Sequence, residues 1–201
     1  YYITMMNENY THPAMPEGAE EGIRKGMYLF RDGGEGELKV QLMGSGTILR
    51  EVIAASELLE QDWGVKADIW SCTSFTELKR EGIDAERYNL LHPESEPRTP
   101  YVTQCLAGRP GPAIAATDYV RAFAEQIRPY VDRRYVVLGT DGYGRSDTRE
   151  ALRRFFEVDR YYVTVAALKA LADDGTLAPS KVSEAITKYG IDTDKPNPLL
   201  A

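Results

Sequence analysis

Short runs of β-branched and apolar residues alternate along most of this chain with amphipathic stretches of helical period. That alternation limits the fold more than any other feature. "KADIWSCTS", "GPAIAAT" and the apolar run Val136-Val137-Leu138 read as strands. Residues 47–62 place Ile48, Leu49, Val52, Ile53, Ala55, Leu58 and Leu59 on one helical face. "FTELKREGIDAERYNLLHPESEPRTP" begins as a helix and ends in a long Pro- and Glu-containing crossover, and "YVTQCL" reads as a short helix in preference to a strand. "DYVRAFAEQI" sets Val120, Phe123, Ala124 and Ile127 at helical spacing, and three helices follow at about 147–157, 160–174 and 180–189. Strands that alternate with helices build a mostly parallel sheet covered on both faces. "MYLFRDGGEGELKVQLMGSG" departs from this: two β-like runs flank a glycine-rich turn, which predicts a hairpin over 27–44 and one antiparallel strand.

Charge and composition then exclude several functions. Thirty-one acidic against 24 basic side chains leave a net charge of −7, which disfavours a nucleic-acid or anionic-membrane surface. Apolar runs fall short of the ~18–20 residues of a membrane span. The two cysteines, Cys72 and Cys105, and the two histidines, His12 and His92, carry no zinc-ligand spacing. Both cysteines lie in apolar runs and read as buried free thiols, although the sequence leaves a disulfide between them open. The histidines, each beside a proline, read as surface or hydrogen-bonding groups. The chain opens Tyr1-Tyr2-Ile3-Thr4 and "YYITMM" reads as a strand, so the start resembles the middle of a longer polypeptide.

Two glycine loops resemble phosphate cradles. In "YVVLGTDGYGRSDTREALRRFF", Gly139, Gly142 and Gly144 run G-x-x-G-x-G between a strand and a helix. This is neither the dinucleotide nor the P-loop pattern. Asp141 and Asp147 flank it and oppose a phosphate, leaving only Arg145 in favour. Asp147 instead suits the helix N-cap, with Glu150 three residues on. "MGSGTILRE" has the same form and no lysine. Both loops therefore read as tight turns into capped helices. "PEGAEEGIRKG" reads as a short helix from Pro16 with Gly18, Gly22 and Gly26 along one side, a stripe that suits close approach of another backbone or, equally, a loose helix.

Several phrases are more specific than any of these. "NENYTHPAMPEGAEEGIRKGMY", "QLMGSGTILREVIAASELL", "SFTELKREGIDAERYNLLHP", "YVVLGTDGYGRSDTREALRRFFEVD" and the terminal "NPLLA" resemble the C-terminal region of the homodimeric pyruvate dehydrogenase E1 family. The resemblance implies a transketolase C-terminal-like domain: α/β, three-layer α/β/α, with a mixed five-stranded sheet and one antiparallel strand. It implies a division into 1–16, the last strand and connector of a preceding domain, and 17–201, the C-terminal domain. It further implies a cytoplasmic parent enzyme that decarboxylates pyruvate on thiamin diphosphate with Mg²⁺ and reductively acetylates the lipoyl group of an E2 component.

The same resemblance places the diphosphate–metal motif, the activating glutamate and the substrate histidines in earlier domains. It therefore implies no catalytic, cofactor-binding or metal-binding residue in this chain. The expected partners are the preceding domains, a second E1 subunit and, through the parent, E2; nucleic acid and membrane are not expected. Asp141, Tyr143 and Arg145 exceed what a tight turn needs, and with Gly18, Gly22 and Gly26 they form the candidate interface. The alternatives are a free-standing small-anion-binding or regulatory module, and the E1 of a related 2-oxo acid dehydrogenase.

Overall fold

The computed structural model describes residues 8–201, so the strand expected at 1–6 lies outside the described residues. Five strands form one sheet: β1 (Met27–Arg31), β2 (Leu38–Gly44), β3 (Val65–Cys72), β4 (Ala113–Ala116) and β5 (Tyr135–Leu138). Their order is β1-β3-β2-β4-β5. All pairs are parallel except β1 with β3. The described residues form eight α-helices: α1 (Glu20–Lys25), α2 (Leu49–Trp63), α3 (Phe75–Leu91), α4 (Tyr101–Leu106), α5 (Arg121–Glu125), α6 (Arg149–Phe155), α7 (Arg160–Asp173) and α8 (Pro179–Lys188).

Strand alternation sends successive residues to opposite faces. Leu42 pairs with Ile69 and Ile114, and Ile114 with Val136, so four strands present one apolar row. This row packs with Val52 and Leu59 of α2, Leu168 and Leu171 of α7 and Ala185 of α8. The next row, Trp70, Met43, Ala115 and Val137, faces the other way and packs with Leu78 of α3, Val102 and Leu106 of α4 and Ala124 of α5. Two cores, one per face, make three layers.

The hairpin expected at 27–44 is not formed. Strand β3 inserts between β1 and β2, and each of them pairs with β3 rather than with the other. The glycine-rich connection crosses the end of β3 instead of reversing tightly. A Cβ on Gly33 would stand 2.4 Å from the Ala67 carbonyl oxygen, so only glycine lets the backbone pass. A strand that begins only at Val65, beyond both runs and the helix that follows them, decides the pairing, which local turn chemistry does not reveal.

Helix boundaries shift where caps compete. The first helix starts at Glu20 rather than Pro16, and Gly18 precedes it with φ +75°. Helix α5 covers only Arg121–Glu125 before a 3₁₀ turn takes over at Arg128–Tyr130. At α6 the cap is Thr148, whose hydroxyl accepts from the Ala151 N–H at 3.3 Å, not Asp147. The Asp147 carboxylate accepts from the Thr148 N–H at 2.7 Å, one residue ahead of the helix.

Candidate functional site

In an open parallel sheet, ligands gather where consecutive crossovers leave in opposite directions, outside the carboxyl ends of the strands. Here the chain leaves β2 for β3 on one side, then crosses to β4 on the other. The carboxyl ends of β2 and β4 flank that reversal, and a crevice of about 230 Å³ opens there. Thr47 follows β2, Asp118 follows β4 and Thr140 follows β5; α6 closes the far wall with Arg149 and Arg153.

The turn after β2 is tight because Gly44 allows it: a Cβ there would stand 2.7 Å from Leu49 Cα. The Ser45 N–H donates to the Ala116 carbonyl at 3.1 Å, tying the end of β2 to the end of β4. Ser45 does not cap the following helix with its side chain. The Asp118 carboxylate covers that first turn instead. It accepts from the Thr47 hydroxyl at 3.3 Å, and its other oxygen would lie 3.6 Å from a Cβ on Gly46. The turn thus carries the chain's own carboxylate, where a nucleotide site would place a phosphate.

The loop after β5 is fixed from the β4 side. The Thr140 N–H donates to the Tyr119 carbonyl at 2.9 Å, and Asp141 accepts from the Arg121 N–H at 3.0 Å, at the start of α5. Gly142, at φ +86°, lies against Pro198 and Leu199 of the C-terminal segment. Arg145 stacks over the Phe155 ring at 4.4 Å and lines the crevice. Tyr143 is 88% exposed, and Tyr119 and Phe123 lie against each other tilted by 55°, centroids 5.0 Å apart, with 61% and 36% exposure.

Arg149 ion-pairs with Glu8 at 3.5 Å. Arg153 donates to buried Glu51 at 3.1 Å, and Arg160 reaches the same carboxylate through its backbone N–H and its guanidinium at 3.0–3.2 Å. Burial pushes the Glu51 carboxyl up, but Arg160 and Arg153 outweigh it and hold it below the usual glutamate value. The group stays ionised and locks α2, α6 and α7 around the crevice. No motif in the sequence assigns a role to Glu51, Asp118, Arg149 or Arg153. The i, i+4, i+8 spacing of Arg145, Arg149 and Arg153 was visible in it, whereas the approach of Asp118 depends on topology.

The glycines of the stripe sit near the opposite edge of the sheet, around β1. A Cβ on Gly22 would stand 2.6 Å from Tyr28 Cβ, and one on Gly26 2.6 Å from the Ser74 carbonyl. Gly18 has open space. Cys72 and Cys105 are free thiols, and burial raises the pKa of both. His92 stacks on Tyr88, centroids 4.3 Å apart, and its Nδ1 lies 2.9 Å from the Tyr88 carbonyl oxygen. His12 is exposed.

A diphosphate–magnesium group does not fit these residues. Among the described residues no three His, Cys, Asp or Glu side chains gather as a metal site, and Asp118 opposes a diphosphate at the β2 turn. No helix among the described residues is long and apolar enough to cross a membrane.

Residues 26–159 match the family model described as transketolase-like TK C-terminal domain. Over 99% of its length the chain is 66% identical to the pyruvate dehydrogenase E1 component of Cupriavidus necator and 61% identical to that of Pseudomonas aeruginosa. It spans only 22% and 23% of those relatives, about a fifth of their length. A crystal structure of transketolase from Pichia stipitis superposes with a TM-score of 0.53 at 16% identity, covering 78% of this chain and 19% of that one, a likeness of fold.

Proposed function

From a chain that belongs to the transketolase-like TK C-terminal domain family, we infer a non-catalytic, architectural role as the C-terminal domain of a pyruvate dehydrogenase E1 component. The observation that carries this is the 66% identity, sustained over nearly the whole chain, to one fifth of a protein of that name. The parent enzyme is cytoplasmic and homodimeric. It decarboxylates pyruvate on thiamin diphosphate with Mg²⁺ held by its other domains, and passes the two-carbon unit to the lipoyl group of E2. Residues 1–16 are the connector from the preceding domain. The chemistry of the crevice supports a structural part: Asp118 and Glu51 are each engaged by neighbours within this domain, and neither is presented as an acid or base.

The contact surface we assign takes in exposed Tyr143 and the exposed ring pair of Tyr119 and Phe123. Tyrosine and phenylalanine are enriched at such surfaces because their rings supply area at low conformational cost. Asp141 and Arg145 already meet neighbours inside the domain and support that surface, whereas Gly22 and Gly26 meet theirs at the β1 edge, away from it. The test is Tyr143→Ala with Tyr119→Ala in the full-length enzyme. Weakened dimerisation in sedimentation or slower pyruvate turnover is expected, with little change in the melting temperature of residues 1–201 alone. Equal destabilisation of both, or an unaffected full-length enzyme, contradicts the assignment.

A further inference from the structure

The segment that enters the domain is held on its outside by arginines from two helices. Residues 8–12 form no strand or helix, and Glu8, Asn9, Thr11 and His12 are exposed. Three guanidiniums pin the segment nonetheless. Arg149 pairs with Glu8 at 3.5 Å, and Arg153 donates to the Tyr10 hydroxyl at 3.3 Å. Arg50 donates to the Thr11 carbonyl at 3.2 Å. Arg50 and Arg153 also lie 4.7 and 5.9 Å from the centre of the Tyr10 ring. Tyr10 in turn donates to Glu8. Arg149 and Arg153, four residues apart, share a face of α6, and Arg50 reaches over from α2. Three ordered arginines fix the direction in which an otherwise exposed segment arrives.

A groove of about 960 Å³ opens at this clamp, lined by Tyr10, Arg149 and Arg153 together with Leu58, Tyr161 and Tyr189. Its charges are matched from within: Glu51 by Arg153 and Arg160, Asp159 by Arg154, and Asp62 by Lys188. Such a groove offers no surplus charge to an ion. Its tyrosine rings are another matter. Tyr161 and Tyr189 lie against each other, centroids 5.2 Å apart, and Tyr161 is 37% exposed. Tyrosine and arginine are the side chains that protein contacts favour. We propose that this groove seats the domain that precedes this chain in the full-length protein. The proposal rests on the reading of the chain as the C-terminal part of an E1 component, in which about four fifths of the polypeptide lies outside these residues. That polypeptide arrives at the rim of the groove, because Tyr10 belongs both to the entering segment and to the lining. A domain tethered there is held over the groove at high effective concentration, so a modest contact is enough to dock it. The clamp sets its orientation.

Hydroxyl-radical footprinting of the full-length protein reads the groove directly. With the groove uncovered, Tyr161 at 37% exposure is oxidised at roughly a third of its rate in the urea-unfolded chain. Seating should lower that to below about a tenth, the level of a side chain at the dry centre of an interface. The protection should persist when the protein is diluted to monomers. Arg50→Gln removes one arm of the clamp at an exposed position. Chymotryptic cleavage after Tyr10 should then accelerate by about tenfold, the scale of one charge-assisted hydrogen bond. The melting temperature should not change. Oxidation of Tyr161 at the uncovered rate, or unchanged cleavage in Arg50→Gln, overturns the proposal. So does protection that disappears on dilution, which gives the groove to a second copy of the chain. Pyruvate turnover with Tyr161 uncovered removes the docking and leaves the E1 reading. A protein inert toward pyruvate with Tyr161 covered removes the E1 reading and leaves the docking.

Discussion

Asp68→Ala should cost about 3–5 kcal/mol of folding stability, the scale for removing one partner from a buried ion pair. Asp68 sits on β3 with no exposed surface. Its carboxylate accepts from the Gly33 N–H at 2.9 Å and from the Gln41 amide at 3.0 Å. It also accepts from the Arg109 guanidinium at 2.9 Å and pairs with Lys39 at 3.0 Å. The Gln41 carboxamide oxygen then accepts from the Trp70 indole at 2.9 Å. One carboxylate therefore fixes the β1–β2 connection, the β2 interior and the loop before β4. Alanine would take the buried carboxylate from the Lys39 ammonium, only 9% exposed, and leave it the Gly34 carbonyl at 3.0 Å and Asp32 at 3.7 Å.

The same group sets a pH dependence. Burial pushes the Asp68 carboxyl up, but the Gly33 N–H, Lys39, Arg109 and Gln41 outweigh it and hold it below the usual aspartate value. Its stabilisation is complete above the unfolded value, about 3.9. It is lost as pH falls through the depressed folded value. Urea unfolding at neutral pH measures the cost of the substitution, and a loss under about 1 kcal/mol, the range of exposed pairs, would contradict it. Repeating the measurement toward pH 3 should narrow the gap between wild type and variant.

Glu51→Ala is expected to cost a similar amount, again about 3–5 kcal/mol, with a different structural reach. Two guanidiniums from α6 and α7 converge on this buried carboxylate. Removing it releases Arg153 into the crevice and loosens the attachment of α6 to α2. Glu51→Gln keeps an acceptor oxygen and should fall between the variant and wild type. Hydrogen exchange locates the effect: amides of α6 and the start of α7 should lose protection first, while those of α3 and α4 on the other face keep theirs. A uniform loss across both faces would show that Glu51 supports the whole fold rather than the crevice.

What the sequence disclosed follows from the range of each interaction. The α/β alternation was legible because strand and helix periods are local, and Val52, Ala55 and Leu59 do face the core as their spacing required. The single antiparallel strand was legible too, yet its partner was not. Glycines at 33–36 suit a hairpin as well as a crossing, and only the arrival of β3 separates them. Asp147 and Thr148 are both good caps; the choice rests on which residue stands extended at the helix entry, and Thr148 does, with φ −63° and ψ 154°. The crevice was the least legible element. Its walls come from the ends of three strands and one helix, and its lining charges acquire meaning only when the strand order brings Thr47, Asp118 and Thr140 together. Asp68 and Glu51 look in sequence like ordinary surface acids and reveal their burial only in the assembled layers.

We infer that this chain supplies structure to a pyruvate dehydrogenase E1 component and leaves the chemistry to other domains. The most direct measurement is pyruvate decarboxylation with an artificial electron acceptor, run on purified residues 1–201 and on the full-length protein side by side. Both receive thiamin diphosphate and Mg²⁺. Turnover is expected from the full-length protein, and only the cofactor-free background from residues 1–201. Cofactor-dependent consumption of pyruvate by residues 1–201 alone, or a full-length protein inert toward pyruvate, would contradict it.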